Sequence, residues 1–296
     1  KRVPPPLQLV ISSRYRGSEL DQHGKTHTSR RLVMEGSLVG LLLVACFRGA
    51  APRSPPCAAG QSCRELRPAG SRSLFIVGNA SVLHDDLIED PFLEKVTFSD
   101  GSLEDAWGTV QVAGLRKLRA FELIRITNLH LNRDFTQLPP SVDTISIRDS
   151  EIIRADPGWI SELRDIAKVI IENSALKTFA MSMLSRPAKK LWLLDLKRNH
   201  LSSLPRDFGN DFPALIELDV TGNQITTLDG SSLLPFLQAS RRIIKVHENP
   251  LDCDCRVSFL MNITDSSVQG YCNTPPRLSG RGLDTLTAPD LHCYFP

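Results

Sequence analysis

Cysteine is the residue type whose number and spacing most directly suggest chemistry in this sequence. Four of the seven cysteines crowd the carboxyl end, at Cys253, Cys255, Cys272 and Cys293. An even set within one short segment is typical of a disulfide-bonded module in an oxidising compartment, and spacing alone leaves three pairings open. The competing interpretation is a zinc site completed by His247, but Cys-x-Cys is a poor zinc-binding pair. Disulfides are therefore favoured over a metal.

An apolar run in the amino-terminal part indicates a signal peptide. Residues 38–47, which include Cys46, follow Met34 closely. The run is too short to span a bilayer, but it suits the core of a signal and is followed by small residues, as cleavage requires. We expect translation to start at Met34, a signal peptide over 34–51, and upstream translated or disordered sequence over 1–33. The alternatives are a buried strand or a helix in an amino-terminal extension.

Cleavage of that signal would leave six cysteines, which allows three bridges. Cys57 and Cys63 would form the bridge nearest the new amino terminus, so residues 52–70 are expected to make a weak N-terminal cap. No later stretch of the sequence is long and apolar enough for a transmembrane helix or a lipid-anchor signal. The sequence thus predicts a secreted, extracellular protein without membrane insertion.

Motifs that carry catalysis are missing from the sequence. It contains no Gly-x-Ser-x-Gly, no His-Glu-x-x-His and no phosphate-binding loop. The acidic cluster at residues 84–90 could bind a cation, although a solvated loop is the favoured interpretation. A formal charge of +2 with 23% charged residues carries no electrostatic footprint of a nucleic-acid or membrane partner. We therefore expect no enzyme activity, no cofactor and no metal site.

Two sequons offer sites for N-glycosylation. They begin at Asn79 and Asn262, and each has Ser or Thr two residues later. Asn79 also falls on a repeat position and could be turned inward, so Asn262 is the better candidate.

The element that must position these residues is an internal repeat. Residues 191–201 match the pattern L-x-x-L-x-L-x-x-N-x-L at every fixed position, and two further copies follow at similar spacing. Earlier copies are weaker, and Ser replaces Asn in two of them. The copy that starts at Phe121 is interpreted with Ile124 and Ile126 as its inward strand residues. About eight repeats are predicted over residues 71–251, with lengths within the range of this repeat class.

Each repeat should contribute one short strand. Alternation places Leu194 and Leu196 on one face of the strand and Asp195 on the other. The amide of Asn199 can satisfy buried backbone groups where the chain turns away. Because one repeat cannot bury its apolar edge alone, stacked repeats are expected to share one core and one curved parallel sheet.

The repeats and the final cysteines resemble those of extracellular leucine-rich-repeat proteins that end in a cysteine-rich flanking module. The likeness in the module rests on residues 249–255, on Phe259 where the family often has Trp, and on residues 278–283. It implies an α/β solenoid, namely a leucine-rich-repeat horseshoe with a parallel concave sheet. A disulfide-bonded C-terminal cap over residues 252–296 would close it.

The same resemblance implies which cysteines are joined. Carried over to this sequence, the bridges would link Cys253 to Cys272 and Cys255 to Cys293. The short repeats, together with residues 138–142, are also similar to arthropod proteins described as non-catalytic subunits of oplophorus-type luciferase. That similarity implies the same fold and a role in binding a partner.

Solvent-facing strand residues are the candidates for partner binding. Aligned by repeat, the first column is Thr97, Arg125, Ser146, Ile170, Asp195, Asp219 and Lys245, and the second is Ser99, Thr127, Arg148, Glu172, Lys197, Thr221 and His247. Parallel strands would bring these side chains together as one mixed-charge concave surface. The predicted contact residues are Arg125, Arg148, Glu172, Asp195, Lys197, Asp219 and Lys245, with Trp192 as an aromatic anchor that could equally pack against a neighbouring repeat.

These features favour a secreted module that binds an extracellular protein and has no catalysis of its own. One alternative is the ectodomain of an adhesion or signalling receptor that lacks its membrane anchor, and another is a non-catalytic subunit of a secreted enzyme complex. An enzyme or enzyme inhibitor is the least favoured class.

Overall fold

The computed structural model describes most of the repeat region and of the C-terminal module. The described ranges are 63–66, 71–78, 92–102, 112–205, 211–238, 241–263 and 267–291. The expected upstream segment and signal peptide, Cys57, Asn79, the acidic cluster at 84–90 and Cys293 lie outside them.

One large sheet runs through the described residues and contains ten strands. In chain order the strands of the structure are β1 (Cys63–Leu66), β2 (Ser73–Gly78), β3 (Lys95–Ser102), β4 (Ala120–Thr127), β5 (Leu129–Leu131), β6 (Thr144–Arg148), β7 (Ile152–Ala155), β8 (Lys168–Glu172), β9 (Leu193–Asp195), β10 (Glu217–Asp219), β11 (Ile243–Lys245) and β12 (Val268–Gln269). The large sheet has the order β1-β2-β3-β4-β6-β8-β9-β10-β11-β12, and β5 pairs with β7 in a separate two-stranded sheet.

The large sheet is parallel throughout, except at its amino-terminal edge. Each strand from β2 to β12 pairs in parallel with its neighbours, whereas β1 runs antiparallel to β2. Strands that follow one another in space and all point the same way require a crossover after each one, which is what a repeat supplies. The predicted parallel-sheet solenoid is therefore confirmed, and β12 extends its sheet into the C-terminal module.

The core is a stack of identical strand positions from successive repeats. Val169, Leu194, Leu218 and Ile244 are aligned across β8 to β11, and each is fully shielded from solvent. Burying a side chain of this size stabilises the fold by roughly 1.5 to 3 kcal/mol. The strands are short because two inward residues per repeat are enough to continue the stack.

Aromatic rings form a second line of packing inside the amino-terminal half. Phe98 lies 5.7 Å from Phe121 between ring centroids, Phe121 lies 6.2 Å from Phe135, and Phe135 lies 5.2 Å from Trp159. The last two contacts are edge-to-face, which is a favoured geometry for aromatic pairs. The interior from β3 to just after β7 is thus packed around large rings.

Among the described residues, 3-10 helices lie between the strands and after the last one. They span Arg133–Gln137, Met181–Met183, Cys255–Asn262, Pro276–Leu278, Leu283–Thr285 and Ala288–Asp290, and the α-helix α1 spans Gly230–Leu237. Asp229 caps α1 by accepting a hydrogen bond from the N–H of Ser231. A Cβ atom at Gly230 would lie only 2.7 Å from the ring of Phe259, so the absence of a side chain lets α1 contact the C-terminal module closely.

Buried asparagines tie each repeat to the one before it. Oδ1 of Asn199 accepts hydrogen bonds from the N–H groups of Ser174 and Leu176, at 3.0 and 3.1 Å. Its Nδ2 donates to the carbonyl oxygens of Ile171 and Leu196, at 2.7 and 2.9 Å. The amide therefore satisfies backbone groups that the turning chain would otherwise bury without a partner.

The same amide position recurs in the next two repeats, at Asn223 and Asn249. Each accepts a backbone N–H from the preceding repeat and donates to carbonyl oxygens of both repeats. Where Ser replaces Asn, the hydroxyl does less. Oγ of Ser174 accepts one N–H, from Ser150, and donates to one carbonyl, that of Glu172.

A column of left-handed backbone residues immediately precedes the amide position. Its members have φ between 49° and 70° and are Asp100, Arg125, Asp149, Asn173, Arg198, Gly222 and Glu248. We call this set the carboxyl-edge column. Gly222 removes strain at one of these positions, and a Cβ atom there would lie 3.2 Å from Cγ of Arg198.

The register of β4 corrects the prediction for the repeat that starts at Phe121. Leu123, not Ile124, points into the core, and it aligns with Ile147 of β6. Ile126 occupies the amide position, where its N–H donates to Oγ of Ser150 at 3.0 Å. Arg125 consequently belongs to the carboxyl-edge column. The place predicted for it, in the first column of solvent-facing strand residues, is taken by Glu122.

A disulfide closes a loop within the C-terminal module. Cys253 is bonded to Cys272, and both residues are buried. Cys255 is also disulfide-bonded, whereas its expected partner Cys293 lies outside the described residues. Because Cys253 and Cys272 are joined to each other, they are not available as zinc ligands, so the alternative zinc site is wrong. Within the described ranges, no helix combines the length and the apolarity needed to cross a bilayer.

Candidate functional site

The side of the large sheet that points away from the core is the candidate site, and we call it the open face. Strand register divides it into three columns from β3 to β11. The central column is Thr97, Glu122, Ser146, Ile170, Asp195, Asp219 and Lys245; the amino-side column is Lys95, Ala120, Thr144, Lys168, Leu193, Glu217 and Ile243; the carboxyl-side column is Ser99, Ile124, Arg148 and Glu172, continued by Lys197, Thr221 and His247.

Six of the eight predicted contact residues lie on this open face. They are Arg148, Glu172, Asp195, Lys197, Asp219 and Lys245. Trp192 lies at the amino edge, one residue before β9, and Arg125 lies in the carboxyl-edge column. The sequence interpretation missed the amino-side column altogether, including Lys168 and Glu217.

Exposure is uneven along the open face. Thr97 and Ser146 are each only 1% exposed. Ile170, Asp219 and Lys245 are partly exposed. The surface from β8 to β11 is therefore the more accessible part for a partner.

Cross-strand ion pairs hold the charged side chains of the open face in place. Glu172 is surrounded by Nε of Arg148 at 3.6 Å, Nζ of Lys197 at 3.6 Å and Nη1 of Arg198 at 3.7 Å. Nζ of Lys197 also lies 3.0 Å from Oδ2 of Asp195. Residues from three successive repeats thus form one connected network.

Two further ion pairs lie on either side of that network. Nζ of Lys245 is 2.5 Å from Oε1 of Glu217. Towards the amino terminus, Nζ of Lys95 is 2.8 Å from Oε2 of Glu122, which also accepts a 3.2 Å hydrogen bond from the hydroxyl of Thr97. The network fixes the positions of charges before any partner arrives.

Burial changes the acidity of Asp195. Loss of solvent raises the pKa of this carboxyl, and this effect outweighs the hydrogen bonds from the backbone N–H and Nζ of Lys197. The negative charge of Asp219 on the next strand acts in the same direction. The ionised carboxylate is therefore a net cost to folding at neutral pH.

The variant Asp195→Asn is expected to be more stable than the wild type at pH 7, because the pKa of Asp195 is raised in the folded protein. A carboxyl whose folded pKa is raised destabilises the fold once it ionises, so wild-type stability falls as pH rises from 3.8 through the raised pKa. Asparagine keeps the acceptor for the N–H of Lys197 without the charge. Urea unfolding between pH 3 and pH 7 measures the difference.

The advantage of Asp195→Asn should be near zero at pH 3, grow with pH and then level off. Asp165→Asn is the matched control because Asp165 is exposed and only pairs with Lys190. A variant that is less stable than the wild type at pH 7 would show that the bonds from Lys197 outweigh burial.

Outside the open face, the carboxyl-edge column lines a shallow cleft of about 370 Å³. Arg125, Asp149, Asn173, Arg198 and His200 are among its lining residues. Asn173 donates to Oδ1 of Asp149 at 2.7 Å, which uses one of the carboxylate oxygens.

Arg125 is committed to an internal ion pair at this edge. Its Nη2 donates to Oδ2 of Asp100 at 2.8 Å, and its Nε bonds the other oxygen. These hydrogen bonds lower the pKa of Asp100. The arginine therefore links the carboxyl ends of β3 and β4, and it is not part of the open face that was predicted to include it.

An apolar ledge lies at the amino edge of the open face. Trp192 is 37% exposed and Ile216, at the same position of the next repeat, is 47% exposed. Nζ of Lys168 lies 5.2 Å from the centroid of the Trp192 ring, within the range of a cation–π contact. The tryptophan therefore presents part of its ring to solvent, as an anchor requires.

The candidate glycosylation site Asn262 ends the 3-10 helix Cys255–Asn262, and its side chain is exposed. Glycosylation at this residue stays a prediction. Asn79 lies outside the described residues.

Comparison with known proteins places the fold among leucine-rich-repeat proteins, although no family model matches the chain. Lumican from Gallus gallus is 26% identical over 184 residues, which is 58% of this chain and 51% of lumican. Toll-like receptor 9 from Mus musculus is 26% identical over 179 residues, or 57% of this chain and 17% of the receptor. A chondroadherin-like protein from Homo sapiens is 36% identical over 94 residues, or 30% of this chain and 11% of that protein.

The chain thus spans about half the length of chicken lumican and smaller shares of the other two relatives. Among solved structures, human 5T4, also named trophoblast glycoprotein, matches with a TM-score of 0.54 and 17% identity. That match covers 77% of this chain and 97% of the 5T4 chain. Repeat pattern, parallel sheet, disulfide and relatives together show that this chain has the leucine-rich-repeat fold, with a disulfide-bonded module at the carboxyl end of its solenoid.

Proposed function

We propose that the chain is a secreted binding module that recognises an extracellular protein through the open face of its sheet. The observation that carries the proposal is the cross-strand ion-pair network, in which Glu172, Lys197 and Asp195 are held by neighbours from successive repeats. Side chains that are already fixed lose less conformational entropy when a partner binds. A fixed pattern of both charges also favours one partner over others.

The proposal assigns recognition and no catalytic step to the chain. Charged side chains in the network neutralise one another across strands. This pairing keeps a pattern of positive and negative charges on the surface, but it does not activate a substrate. The relatives support a binding role at the level of the leucine-rich-repeat class, and the particular partner is part of the proposal.

A charge swap tests the proposal while it preserves the internal ion pair. The double variant Lys245→Glu with Glu217→Lys keeps an attractive pair between β10 and β11 but inverts the pattern that a partner meets. The full chain, produced in a secretory host, is used to capture partners from extracellular fluid, and each captured protein is then titrated. We expect the swap to weaken binding at least tenfold, which corresponds to about 1.4 kcal/mol.

The matched control is a swap of a pair away from the open face. Arg154→Asp with Asp156→Arg inverts a pair in and just after β7, where Nε of Arg154 lies 2.7 Å from Oδ1 of Asp156. Asp156 is partly exposed and also lies 3.2 Å from Nε2 of His130, so the swap removes that contact as well. This control should leave affinity unchanged, and circular dichroism should show that both variants fold. If the β10–β11 swap left every captured partner bound as before, recognition by the open face would be wrong.

A second candidate is the extracellular region of a receptor. The similarity to a protein named Toll-like receptor 9, over 57% of this chain, favours it. Transcript sequence beyond Pro296 distinguishes the two candidates, since a further apolar stretch of about 20 residues would indicate a membrane-anchored receptor.

A further inference from the structure

Two charged residues of the open face form no ion pair with any described residue. From β3 to β11 the face carries the cations Lys95, Arg148, Lys168, Lys197 and Lys245 and the anions Glu122, Glu172, Asp195, Glu217 and Asp219. Within the described residues, every one of these is in an ion pair except Lys168 and Asp219. These two charges are the ones that a partner can engage without breaking an existing pair.

The ammonium group of Lys168 lies beside the apolar ledge. Its only recorded contact in the described structure is the cation–π contact with Trp192, and no described carboxylate lies within ion-pair distance. Trp192 and Ile216 expose apolar surface on the same edge. An acidic side chain that approached Lys168 would therefore arrive next to a hydrophobic anchor site.

The carboxylate of Asp219 has unused hydrogen-bonding capacity. Oδ1 accepts the N–H of Thr221 at 3.0 Å, and no described side-chain donor reaches the group. Lys197 and Lys245 act on it only at longer range, because their ammonium groups are bonded to other carboxylates. Asp219 is partly exposed and can accept a charged hydrogen bond from a basic side chain.

Strand register sets the distance between these two charges. Lys168 aligns with Leu193, and Leu193 aligns with Glu217, two residues before Asp219. With strands about 4.8 Å apart and about 3.3 Å per residue, the two Cα atoms are roughly 10 to 12 Å apart. Leu193 lies between them, half-buried and apolar, so the patch runs from a cation across apolar surface to an anion.

We propose that Lys168, Trp192, Leu193, Ile216 and Asp219 form the docking patch for an extended segment of a protein partner. The segment presents an acidic side chain to Lys168, a basic side chain to Asp219 and an apolar side chain between them. Every second side chain of an extended chain points the same way, so an acidic, an apolar and a basic side chain at positions i, i+2 and i+4 span about 13 Å and match this distance. The proposal rests on the proposed function of the open face and names the part of that face that carries the contact.

A uniformly anionic partner such as a sulfated polysaccharide does not fit this patch. Asp195 and Glu217 beside Asp219 are paired with Lys197 and Lys245, so Asp219 leaves this half of the patch with one net negative charge, which repels a polyanion. A partner segment with both charges is attracted at both ends, and the patch discriminates by charge order as well as by apolar contact.

Short peptides of defined charge test the patch directly. The probe is acetyl-Lys-Thr-Leu-Thr-Glu-amide, in which both charged side chains and the leucine lie on one face of an extended chain, and the control peptides carry Glu at both ends or Lys at both ends. The full secreted chain, labelled with ¹⁵N, is titrated while the indole N–H resonance of Trp192 is followed by NMR. We expect a saturable shift with the mixed-charge probe and at least tenfold weaker binding of both controls.

Variants of this chain complete the test. Lys168→Gln and Asp219→Asn are each expected to weaken the probe about threefold to tenfold, Asp219→Glu should retain it, and Lys177→Gln, at an exposed position outside the open face, should change nothing. Equal binding of all three peptides, no effect of either variant, or an equal shift with a heparin fragment would each overturn the patch. If the β10–β11 charge swap abolishes capture while the probe does not bind, the patch is wrong and the proposed function stands.

Discussion

The variant Asn199→Ala is expected to lower the free energy of unfolding by about 3 to 5 kcal/mol. Removal of this buried amide leaves two backbone N–H groups, of Ser174 and Leu176, without an acceptor. The carbonyls of Ile171 and Leu196 lose a donor in the same step. Each buried polar group that loses its partner costs roughly 1 to 3 kcal/mol, and partial relaxation keeps the total below the simple sum. Urea unfolding followed by circular dichroism measures the loss.

Serine at the same position provides an internal calibration. Asn199→Ser should recover part of the loss, because Ser174 in the preceding repeat satisfies one N–H and one carbonyl with its hydroxyl. Gln224→Ala is the control, since this neighbouring amide is exposed and should cost less than about 0.5 kcal/mol. If Asn199→Ala were as mild as the control, the asparagines would not be what joins the repeats.

Removal of the Cys253–Cys272 disulfide is expected to destabilise the protein by about 2 to 4 kcal/mol. The bond closes a loop with a sequence separation of 19 residues, so its loss frees the unfolded chain. The double variant Cys253→Ala with Cys272→Ala avoids placing a hydroxyl in a site where both cysteines are buried. Thermal and urea unfolding of the variant and the wild type measure the effect.

Loss of this disulfide should increase local unfolding first at the carboxyl end. Amide hydrogen exchange is expected to speed up in β12 and in the 3-10 helix Cys255–Asn262, while β8 and β9 keep their protection. Addition of reductant to the wild type should produce at least this pattern, since reduction opens the Cys253–Cys272 bond together with the disulfide of Cys255. Unchanged stability in the double variant would mean that packing, and not this bond, holds the C-terminal module together.

The sequence was sufficient to predict the parallel solenoid because its repeat pattern carries the inward residues and the amide together. In the repeat at residues 191–201 the pattern can be aligned in only one way, because Leu194, Leu196 and Asn199 all match their fixed positions. The repeat at Phe121 has apolar residues at Leu123, Ile124 and Ile126, so the spacing fits two phases, and the pattern alone selected the wrong one. In the later repeats an asparagine shows how the pattern must be aligned. Ile126 stands at that position here, so the sequence offers no such marker.

The candidate site was predictable in part. Middle and carboxyl-side residues such as Asp195 and Lys197 follow from simple alternation around the inward leucines. Lys168 and Glu217 were missed because they precede the first inward residue, and a pattern that starts from that residue does not count them as strand. Which charges pair depends on the register between strands. That Lys168 and Asp219 have no ion-pair partner among the described residues therefore became apparent only from the aligned strands.

The asparagine hydrogen bonds run in one direction along the solenoid, and this gives the molecule a mechanical polarity. Asn249 bonds Ile225 and Val220 of the repeat before it, just as Asn223 bonds Leu201 and Leu196. Peeling away the last repeat therefore strips the one before it of partners for its backbone, whereas peeling away the first repeat leaves an amide that water can solvate. Force applied to the carboxyl end should unravel the repeats in succession, and the C-terminal disulfide lies where that unravelling would begin.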